Sequence, residues 1–303
     1  MKLYLRGWVA VCVLSALSAP ASMVVYEGFD IPAGGDALSG ASGATSSGWT
    51  SNWSDVNNAV VAGSLSYTSG GQALPTVGGA AQLDVAHGGS FRSFTPAYTT
   101  ATGTYWISFL AKVPSDSSSY AGLSLFNNPY NELVFLGELS ANSSWGARTY
   151  GTGSTYGDTA LAVTNTAFYV VRVDFNISGT LDDVRVWINP ILGGSTPDNA
   201  TATLALLGTD LSGNANAADF SMLRLQQGVA GGNAIFDEIR VGTAWNDMAP
   251  IPEPATTLLV GLGAAVCGLR LCRRWYRPLS SHWLQDSRVV GTQLGRHANN
   301  GDK

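Results

Sequence analysis

The strongest constraint on this chain is a two-residue rhythm in its middle. Tyr105, Ile107, Phe109, Ala111 and Val113 alternate along Thr104 to Val113, and Tyr169, Val171, Val173, Phe175 and Ile177 alternate along the next long run. Val184, Val186 and Ile188 repeat the pattern against Asp183, Arg185 and Trp187. Side chains two apart share a face only in an extended strand, so these stretches are expected to be half-buried β-strands. Ser178-Gly179-Thr180-Leu181-Asp182 reads as a hairpin connection, because glycine supplies positive φ and aspartate caps its own turn.

Further strands are expected at Val24 to Phe29, Ala80 to His87, Leu123 to Phe126, Glu132 to Leu136, Thr203 to Leu207, Phe220 to Gln226 and Ala234 to Val241. Residues 31–58, and 193–218 around the Thr203 run, are rich in Gly, Ser, Asn and Asp and read as surface loops. Short strands, glycine-rich turns and few helix formers predict an all-β fold, a two-sheet antiparallel sandwich or jelly roll. The sequence has no internal repeat, which disfavours propellers and solenoids.

The three cysteines are Cys12, Cys267 and Cys272, so residues 22–250 contain none. That region must therefore be held by its hydrophobic core and not by disulfides. From Ser22 to Pro254 the count of Lys and Arg against Asp and Glu is 7 to 19, whereas both termini are basic. This balance argues against nucleic acid and anionic lipid as partners, and it is compatible with a neutral glycan or a divalent cation.

The chain opens with Lys2 and Arg6, an apolar stretch from Gly7 to Leu17, and small residues through Ala19 and Ala21. These are the parts of a secretory signal peptide, residues 1–21, leaving 22–250 as the exported domain. Near the other end, Ile251-Pro252-Glu253-Pro254 runs into an uncharged stretch, Ala255 to Leu269, and then Arg270, Arg273, Arg274 and Arg277. The two prolines fix φ and remove backbone donors, so Pro252-Glu253-Pro254 precedes the helix instead of joining it. The apolar stretch is short against the ~20 residues of a comfortable span and is expected to cross the membrane once. The arginine cluster then places everything before Pro252 outside the cytoplasm.

The order Pro252-Glu253-Pro254, apolar helix, arginine cluster resembles the PEP-CTERM sorting signal, here residues 251–277. The resemblance implies recognition of the tripeptide by an exosortase-type membrane enzyme, a membrane-anchored stage, and a final location at the cell surface or outside it. Members of that family usually end soon after the basic cluster, whereas here a polar tail, residues 278–303, follows. A second resemblance rests on Tyr26-Glu27-Gly28-Phe29-Asp30, on Tyr169 to Phe175 with Val186-Trp187-Ile188-Asn189-Pro190, and on Ala234 to Trp245. These stretches resemble concanavalin A-like, laminin-G-like sandwiches. The likeness implies a jelly roll in which the Tyr26 strand lies beside the Ile235 strand.

Catalytic signals are sparse. Glycosidases of that sandwich resemble one another in a Glu-x-Asp-x-x-Glu strand motif, which is absent here. Glu132 and Glu138 are the nearest acidic pair, lack the intervening Asp and read as strand-edge or turn residues. His87 is the only histidine of the exported domain, and no metalloprotease, CxxC, GxSxG, dinucleotide or phosphate-loop motif occurs. No catalytic residue is assigned and the protein is expected not to be an enzyme. Asp30, Asp237 and Glu238 are the calcium candidates, since neighbouring terminal strands would bring hard oxygen donors together; the plainer alternative is solvent-facing acids like Asp174, Asp182 and Asp183. Trp49, Trp53, Trp145 and Tyr156 lie in loop-like contexts, either to stack on sugar rings or to close the ends of the sandwich. Asn52, Asn142, Asn176 and Asn199 head sequons that read as asparagine-rich loops.

The function expected from these features is an exported, exosortase-sorted, non-enzymatic surface or matrix protein associated with envelope polysaccharide. The alternatives are a carbohydrate-active hydrolase of the same fold and a structural coat protein without a ligand.

Overall fold

Gly103–Lys112 is the strand around which the domain is laid. It is paired on one side by Ala167–Ser178 and on the other by Ile235–Gly242, and Tyr105 to Ala111 are buried throughout. The computed structural model describes residues 23–31, 38–54, 59–61, 63–83, 88–96, 103–114, 119–128, 131–139, 143–211, 220–228 and 232–249. The expected signal peptide, sorting signal and polar tail lie outside them. Among the described residues no helix is long and apolar enough to cross a membrane.

In chain order the strands are β1 (Met23–Glu27), β2 (Ala59–Val61), β3 (Thr68–Ser69), β4 (Gln72–Ala73), β5 (Ala80–Gln82), β6 (Gly88–Ser93), β7 (Gly103–Lys112) and β8 (Ala121–Asn128). They continue as β9 (Asn131–Glu138), β10 (Ser144–Thr149), β11 (Tyr156–Ala162), β12 (Ala167–Ser178), β13 (Leu181–Ile188), β14 (Leu204–Thr209), β15 (Met222–Gln227) and β16 (Ile235–Gly242). A short helix α1 (Trp245–Met248) follows. One antiparallel sheet runs β14-β13-β12-β7-β16-β5-β2, with β1 on β16; a second runs β11-β10-β9-β8-β15-β6.

The expected all-β sandwich is therefore present, and the alternating residues meet inside it. Tyr105, Ile107, Phe109, Ala111 and Val113 pack with Tyr169, Val171, Val173, Phe175, Val184, Val186 and Ile188 from one sheet against Leu123, Leu125, Leu136, Leu223 and Leu225 from the other. Ile177, at the end of its strand, is 54 % exposed. Aromatic contacts tie the layers together: Tyr105 meets Phe220 with ring centroids 4.3 Å apart, and Tyr169 meets the Trp145 edge at 5.6 Å and 83°. The β12–β13 hairpin turns through Gly179 at φ 68°, with Ser178 opposite Leu181. As the sandwich resemblance implied, β1 lies beside β16, Tyr26 facing Arg240.

Strict alternation misreads β16. The core uses Phe236, Ile239 and Val241, the first two of which are three residues apart. A bulge between Asp237 and Arg240 opposite β7 absorbs the extra residue, with Glu238 at φ 53°. Asp237 and Glu238 are thereby turned together towards the segment 63–79. Strands β2, β3, β4, β6, β10 and β11 had no counterpart among the expected strands.

The outward faces of the two sheets differ. That of the larger sheet is roofed by a second core, where Trp106 stacks on Trp187 at 5.6 Å and meets Trp245 at 5.8 Å, with Leu74, Leu110, Phe168, Val170, Leu192 and Met248 around them. The smaller sheet carries a cleft on its outward face.

Candidate functional site

That cleft starts from the register of six strands. Reading across the sheet, Gly89, Gln226, Gly122, Gly137, Gly146 and Asp158 are direct neighbours on β6, β15, β8, β9, β10 and β11. Four of the six positions lack a side chain, which leaves room for neighbouring side chains to lie across them. The glycines are needed for space: a Cβ at Gly122 would stand 2.6 Å from Phe135 Cζ, one at Gly146 2.7 Å from Asp158 Oδ1, and one at Gly89 2.6 Å from Arg224 Cδ.

The next row on the same face is Phe91, Arg224, Ser124, Phe135, Arg148 and Tyr156. From it Phe135 leans over Gly122 and Arg224 over Gly89. The resulting cleft of about 530 Å³ is lined by Tyr120, Glu132, Phe135, Arg148, Tyr150, Tyr156, Asp158, Arg224 and Gln226, with Leu139.

A polar network fixes its inner side. Gln226 Nε2 donates to Ser124 Oγ at 2.5 Å and to Glu132 Oε1 at 3.0 Å, and Arg224 reaches Glu132 Oε2 at 3.4 Å. The Arg224 guanidinium lies 4.6 Å from the Phe126 ring centre and 5.4 Å from that of Phe91. Burial disfavours its charged form and lowers its pKa, partly offset by the Glu132 carboxylate. Burial, and then the charge of Glu132, push the Tyr150 phenol upward. Arg148 is exposed and sits over the Tyr150 ring at 5.0 Å.

Of the four sequence-selected aromatics, only Tyr156 belongs to this cleft; it stands at its rim, 72 % exposed. Trp145 is a correction. It lies in β10 with its ring in the core, so it anchors Tyr169 and is closed to any external sugar. Trp53 is corrected likewise: it is 1 % exposed, stacks on Phe29 at 5.9 Å and donates its Nε1 to Glu27 Oε2 at 2.9 Å. Trp49 is half-buried under the Arg92 guanidinium at 4.7 Å, its Nε1 donating to the Tyr26 carbonyl.

Glu132 and Glu138 separate. A register shift opposite Leu125 and Phe126 lets both Leu133 and Val134 enter the core and turns Glu132 into the cleft. Glu138 shares the face of Ala121 and Trp145 and is fully buried.

The calcium candidates are not assembled as expected. Glu238 accepts from Val77 N at 2.6 Å and the Tyr26 hydroxyl at 3.1 Å, and it pairs with buried Arg240. Asp237 accepts from Leu65 N and Glu238 N, both at 2.8 Å. Asp30 stands half-buried beyond β1. The donors that satisfy these carboxylates come from the chain itself, and among the described residues no group of three or more His, Cys, Asp or Glu is placed to hold a metal ion. Asp182, read as solvent-facing, is also fully buried and accepts from Asn176 N and Leu211 N. Pro252, Glu253, Pro254, Arg270, Arg273, Arg274 and Arg277, like His87 and Asn142, lie outside the described residues.

The cleft residues that the sequence reading passed over are Tyr120, Phe135, Leu139, Arg148, Tyr150, Asp158, Arg224 and Gln226. They come together only once the strands are placed in register.

No protein-family model matches this chain, and no curated protein matches it either. Among solved structures the chain is similar to an endo-1,3-beta-glucanase from Streptomyces sioyaensis, at 11% identity over 74% of this chain and 98% of that one, TM-score 0.43. It is also similar to domain 4 of AbnA, an extracellular arabinanase from Geobacillus stearothermophilus in complex with arabinotriose. That match is at 14% identity over 74% and 93%, TM-score 0.37. A third likeness is to a Caenorhabditis elegans galectin, 7% identical over 50% and 95%, TM-score 0.30.

Proposed function

We propose that this protein is exported and sorted to the cell surface, where its sandwich holds a polysaccharide chain in the cleft of its smaller sheet without cleaving it. The observation that carries the reading is the cleft itself. It is rimmed by aromatic rings and crossed by fixed hydrogen-bonding groups. Its lining runs from β15 to β11 across five strands, a distance of about 19 Å at ~4.8 Å per strand. Such a groove suits several sugar units in line. Tyr156 supplies an exposed ring for stacking on a sugar face, while Gln226 and Glu132 offer amide and carboxylate groups to hydroxyls.

The test is a glycan array probed with the full chain in mild detergent, followed by Tyr156→Ala. The exposed ring supports no core contact, so the variant should melt with the wild type while its glycan affinity falls about tenfold. Absence of any glycan ligand, or undiminished binding by the variant, would count against the cleft.

A hydrolase is the second reading, because Glu132 and Asp158 line the same cleft. It predicts release of reducing ends from the bound glycan, abolished by Glu132→Gln.

Sorting rests on residues 251–277. Replacing Pro252, Glu253 and Pro254 together by alanine lets the apolar helix extend backwards and removes the carboxylate, while the orienting arginines remain. In the native host, the wild type should lose a C-terminal tag and the variant should accumulate full-length in the inner membrane. If both keep the tag and fractionate together, Pro252-Glu253-Pro254 is a stalk.

A further inference from the structure

We infer that the ligand of this cleft is an acidic sugar, whose carboxylate or sulfate ester is received by Arg148. The inference rests on the cleft being a glycan site and narrows the class of glycan.

Charge is the first observation. Between Ser22 and Pro254 acids outnumber bases 19 to 7, so an arginine here has carboxylates in excess around it. The described arginines use them: Arg92 pairs with Glu27, Arg172 and Arg185 with Asp174, Arg185 also with Asp183, Arg224 with Glu132 and Arg240 with Glu238. Among the described residues Arg148 is the one arginine without such a pair. Its head is exposed, yet the Tyr150 ring holds it in place at 5.0 Å. A guanidinium kept from its own chain's carboxylates and parked on an aromatic face retains its planar fork of donors for an incoming anion.

Arg224 provides the second observation. Its Nε is buried and has no hydrogen-bond partner, although its Nη2 touches Glu132. A buried charged donor left unsatisfied costs free energy, which an acceptor arriving in the cleft would recover. Arg224 and Arg148 share one row of the sheet, separated by Ser124 and Phe135. Their backbones are thus about three strand spacings, or ~14 Å, apart, on either side of Phe135. Glu132 is spent on Arg224 and Gln226, and Asp158 is the other carboxylate of the lining. Arg148 is therefore the cation of this cleft left outside any ion pair, at the place proposed to bind a ligand.

The experiment titrates the full chain in mild detergent, at low salt, with three tetrasaccharides: a neutral galactan, a galacturonate and a sulfated galactan. At least one acidic probe should bind about tenfold more tightly than the neutral one, and raising the salt should erode that advantage. Whichever acidic probe shows it identifies the carboxylate or the sulfate as the anion. In Arg148→Met, which keeps the stem on Tyr150, the ratio of acidic to neutral affinity should fall to about one. Thermal melting of the same sample excludes unfolding as the cause. Equal binding of neutral and acidic probes, both weakened by Tyr156→Ala, would overturn the acidic preference and leave the cleft standing. An acidic preference that survives Arg148→Met would overturn the assignment to this arginine. Failure of all three probes, or binding indifferent to Tyr156→Ala, would remove the glycan cleft and the inference with it.

Discussion

Urea unfolding should give a higher midpoint at pH 5 than at pH 8. The cause is Asp237, fully buried in the β16 bulge beside Glu238. Burial, and then the Glu238 charge, raise its pKa to about 8, although the amides of Leu65 and Glu238 pull the other way. Burial likewise raises Asp182 and Asp247. A carboxyl that keeps its proton when folded and loses it near pH 4 when unfolded makes the folded state the better proton binder. Its contribution is fully present below pH 4 and drains away as pH rises through about 8. Within that window one such proton gives a slope of about 1.4 kcal/mol per pH unit. Asp237→Asn cannot titrate, so its stability should be flatter between pH 5 and 8, even though the amide loses one of the two backbone donors. A wild-type midpoint that climbs from pH 5 to pH 8 would contradict the protonated Asp237.

The largest effect of a single substitution is expected at Glu27. Its carboxylate is fully buried and accepts from Phe29 N at 2.9 Å, Ser46 Oγ at 2.7 Å and Trp53 Nε1 at 2.9 Å, while pairing with Arg92. Arg92 is itself 3 % exposed and reaches the Ser42 and Ser51 carbonyls. Glu27 thus pins the glycine- and serine-rich segment 38–54 onto β1 and β6. Glu27→Ala strands the guanidinium in the interior and orphans three donors, at a cost of about 3–5 kcal/mol. In a domain of this size that lowers the melting temperature by roughly 10 °C. The double variant Glu27→Met/Arg92→Met removes both charges and should recover much of the loss. If single and double variants melt together, the buried charge is not what Glu27 neutralises.

The contrast between these sites shows what the sequence made legible. The faces of Tyr105 to Val113 and Tyr169 to Phe175 could be read directly, because a buried strand face repeats every two residues and its neighbours in the pattern are neighbours in the chain. β16 defeated that reading, since one extra residue at Glu238 shifts the frame between Phe236 and Ile239. β10 defeated it differently: in Ser144-Trp145-Gly146-Ala147-Arg148-Thr149 small residues stand between Trp145 and Arg148, and no alternation of apolar with polar residues shows. The strand was therefore mistaken for a loop, and Trp145 for a surface ring. The cleft itself is built from pairs such as Gln226 with Ser124, 102 residues apart, and Arg224 with Glu132, 92 apart. Such pairs become visible only after strand register is known. Glu27 looked like part of a family signature, and nothing local announced that Trp53 and Arg92 would converge on it.

The pairing of β1 with β16 also decides how the domain answers a pulling force. Met23 lies opposite Gly242, so the outer ends of these antiparallel strands meet at one end of the ladder. Tension applied between them loads the backbone hydrogen bonds one pair after another, as in opening a zipper, instead of straining the whole row at once. β1 would peel first and carry Tyr26 away from Glu238, followed by Glu27 from Arg92. β16 would remain held by β7. A tether at one terminus alone leaves this seam unloaded, so the weak direction of the fold is felt only when both ends are gripped.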